Sequence, residues 1–376
     1  MKPFLDFYKQ HNISPVHQDI TDLRRHFERR EALYRLLGIA PGLVEGKSVI
    51  EFGPGSGHNA IYTTSLEPRR YVLVDGNETG LKETQGRLSA FSGGATKHEI
   101  VESDIENFES DEKFDIVLCE GVIPFQLDPP GFVKHVGKFV KPGGLFILTC
   151  IDGVSFLGES TRRLIASSIV PFSEDPKKKL EILRPVFAPH LETLQGMSRP
   201  LDDWLYDNIF VPYSGKLFSI KDAITALYDD FDIYGTSPDF IQDWRWYKSI
   251  YGNDRLYNEH GMELYLSNVA SFVDYRITLP AQTTASGETF LKLAEDAFYI
   301  MAEMENSGDY SKMEMVIDTL VEITKNIAPL SKITAESLEE VTNYLFAPQG
   351  KNPASYFEKF SPFFGRGQQY VSFIKK

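Results

Sequence analysis

Lys47-Ser-Val-Ile-Glu-Phe-Gly-Pro-Gly-Ser-Gly-His58 opens the stretch that decides the fold, and Tyr71-Val-Leu-Val-Asp75-Gly-Asn77 closes it. Residues 48–52 form a short apolar run with two β-branched side chains between glycines, which predicts a buried strand. Gly53, Gly55 and Gly57 make a loop in which backbone can approach a ligand unobstructed. Residues 59–66 turn helical until Pro68 breaks the pattern. Residues 71–74 read as a second buried strand that ends on Asp75. Strand, glycine loop, helix, strand and acid in that order predict a nucleotide-binding βαβ unit. The helix N-terminus there offers unpaired N–H groups to an anion, and Asp75 is placed to accept from ribose hydroxyls.

The spacing narrows the nucleotide. A dinucleotide fingerprint needs glycine or alanine three positions after its second glycine, where this chain has His58. No Gly-Lys-Ser/Thr follows, so a phosphate-binding Walker loop is excluded too. A tight strand-to-helix turn would also use glycines, but the second acid in register favours a cofactor site. The pattern Glu51-x-Gly53-x-Gly55-x-Gly57 resembles motif I of the class I S-adenosylmethionine-dependent methyltransferases. The resemblance implies cofactor contacts from Glu51, Gly53, Gly55, Gly57 and the ribose-binding Asp75. It extends through residues 20–152: Asp104 and Ile105 follow a third strand where the family contacts adenine, and a helix N-cap is the other role open to Asp104. Residues 113–120 resemble motif IV and end on Glu120. Lys141-Pro-Gly-Gly144 stands as a tight turn before a fifth strand at 145–150.

The implied fold class is α/β: a doubly wound, mostly parallel seven-stranded sheet with a helical cap and a helical insertion. Residues 1–46 are expected to be an N-terminal helical lid, with a short helix and loop over 1–18 and a longer helix over 19–37. The arginines of that helix read as a solvated face laced with ion pairs such as Glu31 with Arg35, or as a lid that meets an anionic substrate. Residues 47–152 are the cofactor core, 153–230 a proline-punctuated cap, 231–287 a sixth strand and active-face loop, 288–360 a helical insertion, and 361–376 a closing antiparallel strand. The insertion departs from the family, which joins its last two strands in a simple hairpin. Its apolar stripes, with Met301 and Met304 among them, read as core filler.

Composition bounds the partners. The 376 residues are 42% hydrophobic and 24% charged with a net charge of −14. That suits a globular protein and disfavours a nucleic-acid partner. Two cysteines, Cys119 and Cys150, make no disulfide framework and no Cys-x-x-Cys metal motif, so buried reduced thiols and no metal are expected. No signal peptide or membrane-spanning run is visible, which predicts a cytoplasmic protein with no membrane partner. Nothing in the sequence sets the oligomeric state.

The chemistry follows from the implied cofactor. Its methyl group is already electrophilic, so much of the catalysis can be positioning. A hydroxyl acceptor needs a base. Glu120 at the lip of the fourth strand and His58 are the catalytic candidates, with His190 a third; Glu120 could equally bind the cofactor or a substrate hydroxyl. Asp203, Trp204 and Tyr206, with Trp244 and Trp246, form acid–aromatic clusters suited to a polyhydroxylated acceptor. They suit packed tryptophans of a cap equally well. The expectation is a methyltransferase acting on O or N of a small polar acceptor such as a sugar, nucleotide sugar or surface-glycan precursor. The alternative is a protein methyltransferase, or a module that docks a partner through the helical insertion.

Overall fold

The computed structural model describes residues 18–91, 96–197, 199–213, 215–348 and 350–376. The helix and loop expected before Gln18, and a helix stop expected at Gly93-Gly94, fall outside them. The chain divides into two compact units. One joins Met1–Cys150, Gly215–Tyr265 and Gln368–Lys376; the other joins Ile151–Ser214 and Leu266–Gly367.

The first unit is built on a seven-stranded sheet: β1 Ser48–Phe52, β2 Arg70–Asp75, β3 Lys97–Glu102, β4 Phe114–Cys119, β5 Val140–Cys150, β6 Phe231–Ser237 and β7 Gln369–Lys375, in the order β3-β2-β1-β4-β5-β7-β6. The first five run parallel, and β7 is antiparallel to both β5 and β6. All seven expected strands therefore form, and the order reverses between β1 and β4, where open α/β sheets bind ligands at the strands' carboxyl ends. Every residue of β1 is buried, as a strand covered on both faces requires.

Four helices flank the early strands: α1 Leu23–Leu36, α2 Ala60–Ser65, α3 Glu78–Ala90 and α4 Pro129–Gly137. Caps set their starts. Asp22 accepts from Arg25 N, so α1 begins later than the expected residue 19. Asn77 accepts from Thr79 N and Gly80 N to open α3, and Asp128 accepts from Gly131 N with Pro129 in the first turn of α4. The core between α1, α2 and the sheet holds Tyr34, Leu37, Ile61, Tyr62, Tyr71, Leu73, Ile116 and Ile147. Tyr34 and Phe27 meet Tyr62 edge-on at 5.2 and 5.5 Å.

One local expectation changes. Lys141-Pro-Gly-Gly144 does not precede β5 but bulges within it. Val140 pairs with Phe114, then the register jumps so that Leu145 pairs with Ile116, with Gly143 at φ +72° taking the bend.

The second unit is helical. Most of its stripes pack inward: Phe290, Ala297, Met301 and Met304 of Thr284–Ser307, Val316, Ile317, Leu320 and Ile323 of Met313–Ile327, and Leu338, Val341 and Leu345 of Lys332–Phe346 are buried, while Leu293, Ile300 and Met313 of the expected stripes are half-buried. Helix Pro176–Glu192 runs through Pro185 and Pro189. Four residues apart, the two share one face, so both missing N–H groups fall on one side. The expected cap up to Ser214 and the insertion, separate in sequence, belong to this same unit, while residues 215–230 of that cap join the first unit. Inside it Arg163 pairs with Glu305 at 0% and 3% side-chain exposure, donates to the Asn208 carbonyl at 3.0 Å and lies over the Tyr213 ring at 4.2 Å.

Candidate functional site

The glycine loop is held in a form that side chains resist. Gly53, Gly55 and Gly57 have φ of +75°, +57° and +80°, a region glycine enters at little cost. A β-carbon on Gly53 would stand 2.3 Å from Val122 Cγ2, and one on Gly57 would stand 2.8 Å from the Thr84 backbone. Gly80 of α3 packs as tightly: its β-carbon would meet the Gly55 carbonyl at 2.7 Å. The loop is thus cradled by α3 and by the segment after β4.

Asp75 ties the loop to the end of β2. Its carboxylate accepts from Asn77 N at 2.8 Å and from Gly55 N at 3.4 Å, and it is 7% exposed. Asn77 Nδ2 is buried with no hydrogen-bond partner among the described residues. Asp104 stands beside this corner: a β-carbon on Gly76 would come 2.9 Å from Asp104 Oδ1. Asp104 occupies the N-cap position of the turn Ile105–Asn107, yet its side chain does not cap that turn. Ile105 is buried next to Gly53, and His135 Nε2 donates to its carbonyl at 3.0 Å.

Glu51 lies inside β1, 4% exposed, and accepts a hydrogen bond from the Tyr71 hydroxyl. Burial, reinforced by the charge of Glu120, pushes its carboxyl up to about 7. Glu120, just past β4, is clamped: Arg30 of α1 donates to both of its oxygens, at 2.9 and 2.8 Å, with both side chains 7% exposed. Asn59 Nδ2 adds a contact at 3.4 Å. His58 is buried at 6% exposure, its Nδ1 lies 2.6 Å from Ser56 Oγ, and its carbonyl accepts from His26 Nε2 at 2.9 Å. Both carboxylate oxygens of Glu120 are thus committed to Arg30.

The structure therefore gathers Glu51, Gly53, Gly55, Gly57, Asp75, Asp104, Ile105, His58 and Glu120 around one end of the first unit's sheet. It does not gather the acceptor candidates, which divide between the two units. Trp204 is 4% exposed with its ring 6.2 Å from Phe187, so it is core. Tyr206 stacks edge-on with Phe210 at 5.2 Å, and Asp203 beside it is half-buried. The structure corrects His190 as a base candidate: it is 1% exposed among Phe187, Phe357 and Phe360, where Arg162 Nε donates to it at 3.3 Å. Trp244 and Trp246, in the first unit, are 90% and 66% exposed.

Sequence reasoning did not single out Arg30, Asn59 or Asn77. An N-cap asparagine right after a strand-ending acid was a usable signal for Asn77; among neighbouring arginines, nothing local marked Arg30. No described residues cluster as a metal site. A cavity of about 490 Å³ between α3 and β3 is lined by Glu78, Lys82, Gln85, His98 and Glu102 among others, and shares no residue with the glycine loop.

Residues 24–190 match the family model described as "Methyltransferase domain". Over those residues the chain is similar to methyltransferase domains. The chain is 30% identical over 132 residues to the "Probable phthiotriol/phenolphthiotriol dimycocerosates methyltransferase 2" of Mycobacterium ulcerans, covering 35% of this chain and 49% of that one. It is 29% identical over 115 residues to a "Ubiquinone biosynthesis O-methyltransferase" of Leptothrix cholodnii, covering 30% and 47%. The chain thus spans about half the length of these curated relatives. Among solved structures, a magnesium protoporphyrin IX methyltransferase of Synechocystis PCC 6803 with bound SAH overlaps at TM-score 0.36 and 14% identity, covering 61% of this chain and 85% of that one.

Proposed function

We propose that this protein binds S-adenosylmethionine in its glycine loop and transfers the methyl group to an oxygen or nitrogen of a small-molecule acceptor. The observation that carries the reading is the corner at Asp75: a buried carboxylate reaching the loop, beside a buried Asn77 amide with an unspent donor. Ribose hydroxyls both donate and accept, and that pair of groups answers both needs. In this reading Gly53, Gly55 and Gly57 leave room for the methionine end, Asp104 meets the adenine amino group, and Ile105 meets the ring. Glu51 shapes the loop from within β1.

The cofactor, when bound, supplies a methyl group on a positively charged sulfur. The chain's own contribution is to bind, orient and exclude water, and well-aligned reactants can account for several kcal/mol of a barrier, roughly 7 or more. Glu120 and His58 are both held in hydrogen bonds, so catalysis rests first on positioning. An acceptor hydroxyl that needs a base would draw on Glu120 in competition with Arg30.

The sugar or nucleotide-sugar acceptor expected from the aromatic clusters now leans on Trp244 and Trp246, since the Trp204 ring is packed in a core. Incubation with labelled S-adenosylmethionine and a pool of nucleotide sugars and extracted metabolites tests the reading. Label in the small-molecule fraction supports it, and labelled protein bands favour the protein-methyltransferase alternative. Trp246→Ala should leave cofactor affinity unchanged; if it also leaves acceptor turnover unchanged, the sugar-stacking role is gone.

A further inference from the structure

Past Ser237, the end of the edge strand β6, the chain displays Trp244, Trp246, Tyr247 and Tyr251 at 90%, 66%, 72% and 69% exposure. Four aromatic rings in eight residues are left in water. Exposed apolar groups of this density mark contact with something else. The display is braced. Arg245 donates to the Asp243 carboxylate at 2.9 and 2.5 Å and to the carbonyls of Asp254 and Arg255 at 3.1 and 2.9 Å, which ties the start of the loop to its end. Two single turns, Tyr247–Ser249 and Gly252–Asp254, add to that frame. Holding the rings in place lowers the entropy lost when they are covered.

Local charge bears on what covers them. The whole chain carries −14, and over residues 238–256 Asp239, Asp243 and Asp254 balance Arg245, Lys248 and Arg255, but within the aromatic run 244–251 Lys248 stands beside the rings and Arg245 is paired with Asp243. Lys248 Nζ lies 5.4 Å from the Trp246 ring centre and 6.0 Å from that of Tyr247. Neither Lys248 nor Arg255 forms an ion pair with the described residues. Tryptophan and tyrosine favour the boundary between headgroups and acyl chains, and nearby cations favour acidic headgroups. No described helix is long and apolar enough to cross a membrane, so contact would be peripheral.

The loop's place in the sheet also separates it from the glycine loop. β6 lies four strand positions from β1, about 19 Å at the usual strand spacing. The strand that leads into the loop is therefore the far edge of the sheet, not the strand that carries the glycine loop.

We infer that the Trp244–Tyr251 loop is a peripheral docking surface for a phospholipid bilayer with anionic headgroups. Such a surface departs from the expectation of no membrane partner. The inference does not rest on cofactor binding, and it competes with the sugar-stacking role for Trp244 and Trp246.

The test uses the full chain and vesicles of phosphatidylcholine with or without phosphatidylglycerol. With Trp204 already in a core, a fluorescence change on adding vesicles comes from Trp244 and Trp246. Anionic vesicles should shift the emission to the blue, brominated acyl chains should quench it, and the protein should sediment with the vesicles. Trp244→Ser with Trp246→Ser should lower the partition coefficient by about tenfold or more while the melting temperature and cofactor affinity hold, because the rings pack against little. Lys248→Glu with Arg255→Glu should remove the preference for anionic over neutral vesicles. No emission shift with anionic vesicles overturns the inference. Binding that survives the double tryptophan change overturns it as well, as does ring burial caused only by a soluble protein or an oligosaccharide.

Discussion

Asp75 spends its carboxylate on backbone N–H groups of its own turn and of the glycine loop, so one residue shapes the loop and, in the proposed reading, also meets the ribose. Asp75→Ala should weaken S-adenosylmethionine binding by on the order of 1.5–3 kcal/mol, the scale of a lost charge-assisted hydrogen bond; titration calorimetry reads it, and unchanged affinity would remove the ribose assignment. Gly55→Val, forced to a left-handed φ of +57°, should lose cofactor binding in a chain that still folds by circular dichroism. Glu51 adds a pH signature. Its folded carboxyl is raised to about 7, above its unfolded value, so the native state holds the proton more tightly. The stabilisation is full below the unfolded pKa and is lost as pH climbs through 7. Glu51→Gln should therefore flatten the fall in melting temperature between about pH 4.5 and 7; an identical slope in mutant and wild type would show that Glu51 is not protonated in the fold.

At the scale of elements, α1 is a strap across the first unit. His26 reaches the glycine-loop segment, Arg30 reaches the end of β4, and the Leu37 carbonyl that follows the helix accepts from Ser372 Oγ of β7 at 2.9 Å. Among its arginines, Arg24 pairs with Glu28 on the surface as a solvated face predicts, but Arg30 turns inward. A buried pair is weak support for stability against an apolar replacement, yet breaking one side strands a charge. Arg30→Ala should cost about 3–5 kcal/mol in chemical denaturation, and Arg30→Met with Glu120→Leu together should cost much less. If the double change costs as much as the single, the pair does more than satisfy itself. The same logic holds in the second unit, where Glu305→Ala leaves Arg163 buried and should cost about 3–5 kcal/mol.

At the scale of the whole molecule, two compact units share one chain that passes between them more than once. The proposed cofactor corner lies in the unit built on the sheet, while residues 151–214 and the helical insertion supply the other unit's core. The acid-rich balance has a consequence for both: a net charge of −14 works against any phosphate backbone. In a gel-shift assay at physiological salt the chain should leave duplex DNA and RNA unshifted, and a salt-dependent shift would reveal a basic face that the composition hides.

The strand, glycine loop and acid between Lys47 and Asn77 were legible because their signals are local: apolar runs set strands, glycines permit φ values other residues avoid, and caps sit next to what they cap. The same holds for β4, for the closing strand and for the methionine stripes of the helical block. The bulge at Lys141-Pro-Gly-Gly144 was half legible, since the residues predict a turn but only pairing with β4 shows that the strand continues through it. Partnerships across long separations were not legible. Arg30 and Glu120 stand 90 residues apart, and neither carries a mark of the other. Trp204 and Trp246 read alike in sequence, yet one is core and the other is open to solvent. Burial is a property of what folds against a residue, and in this chain that is decided by segments far away in sequence: the cap residues after β5 and the block after Thr284 complete one hydrophobic core that neither outlines alone.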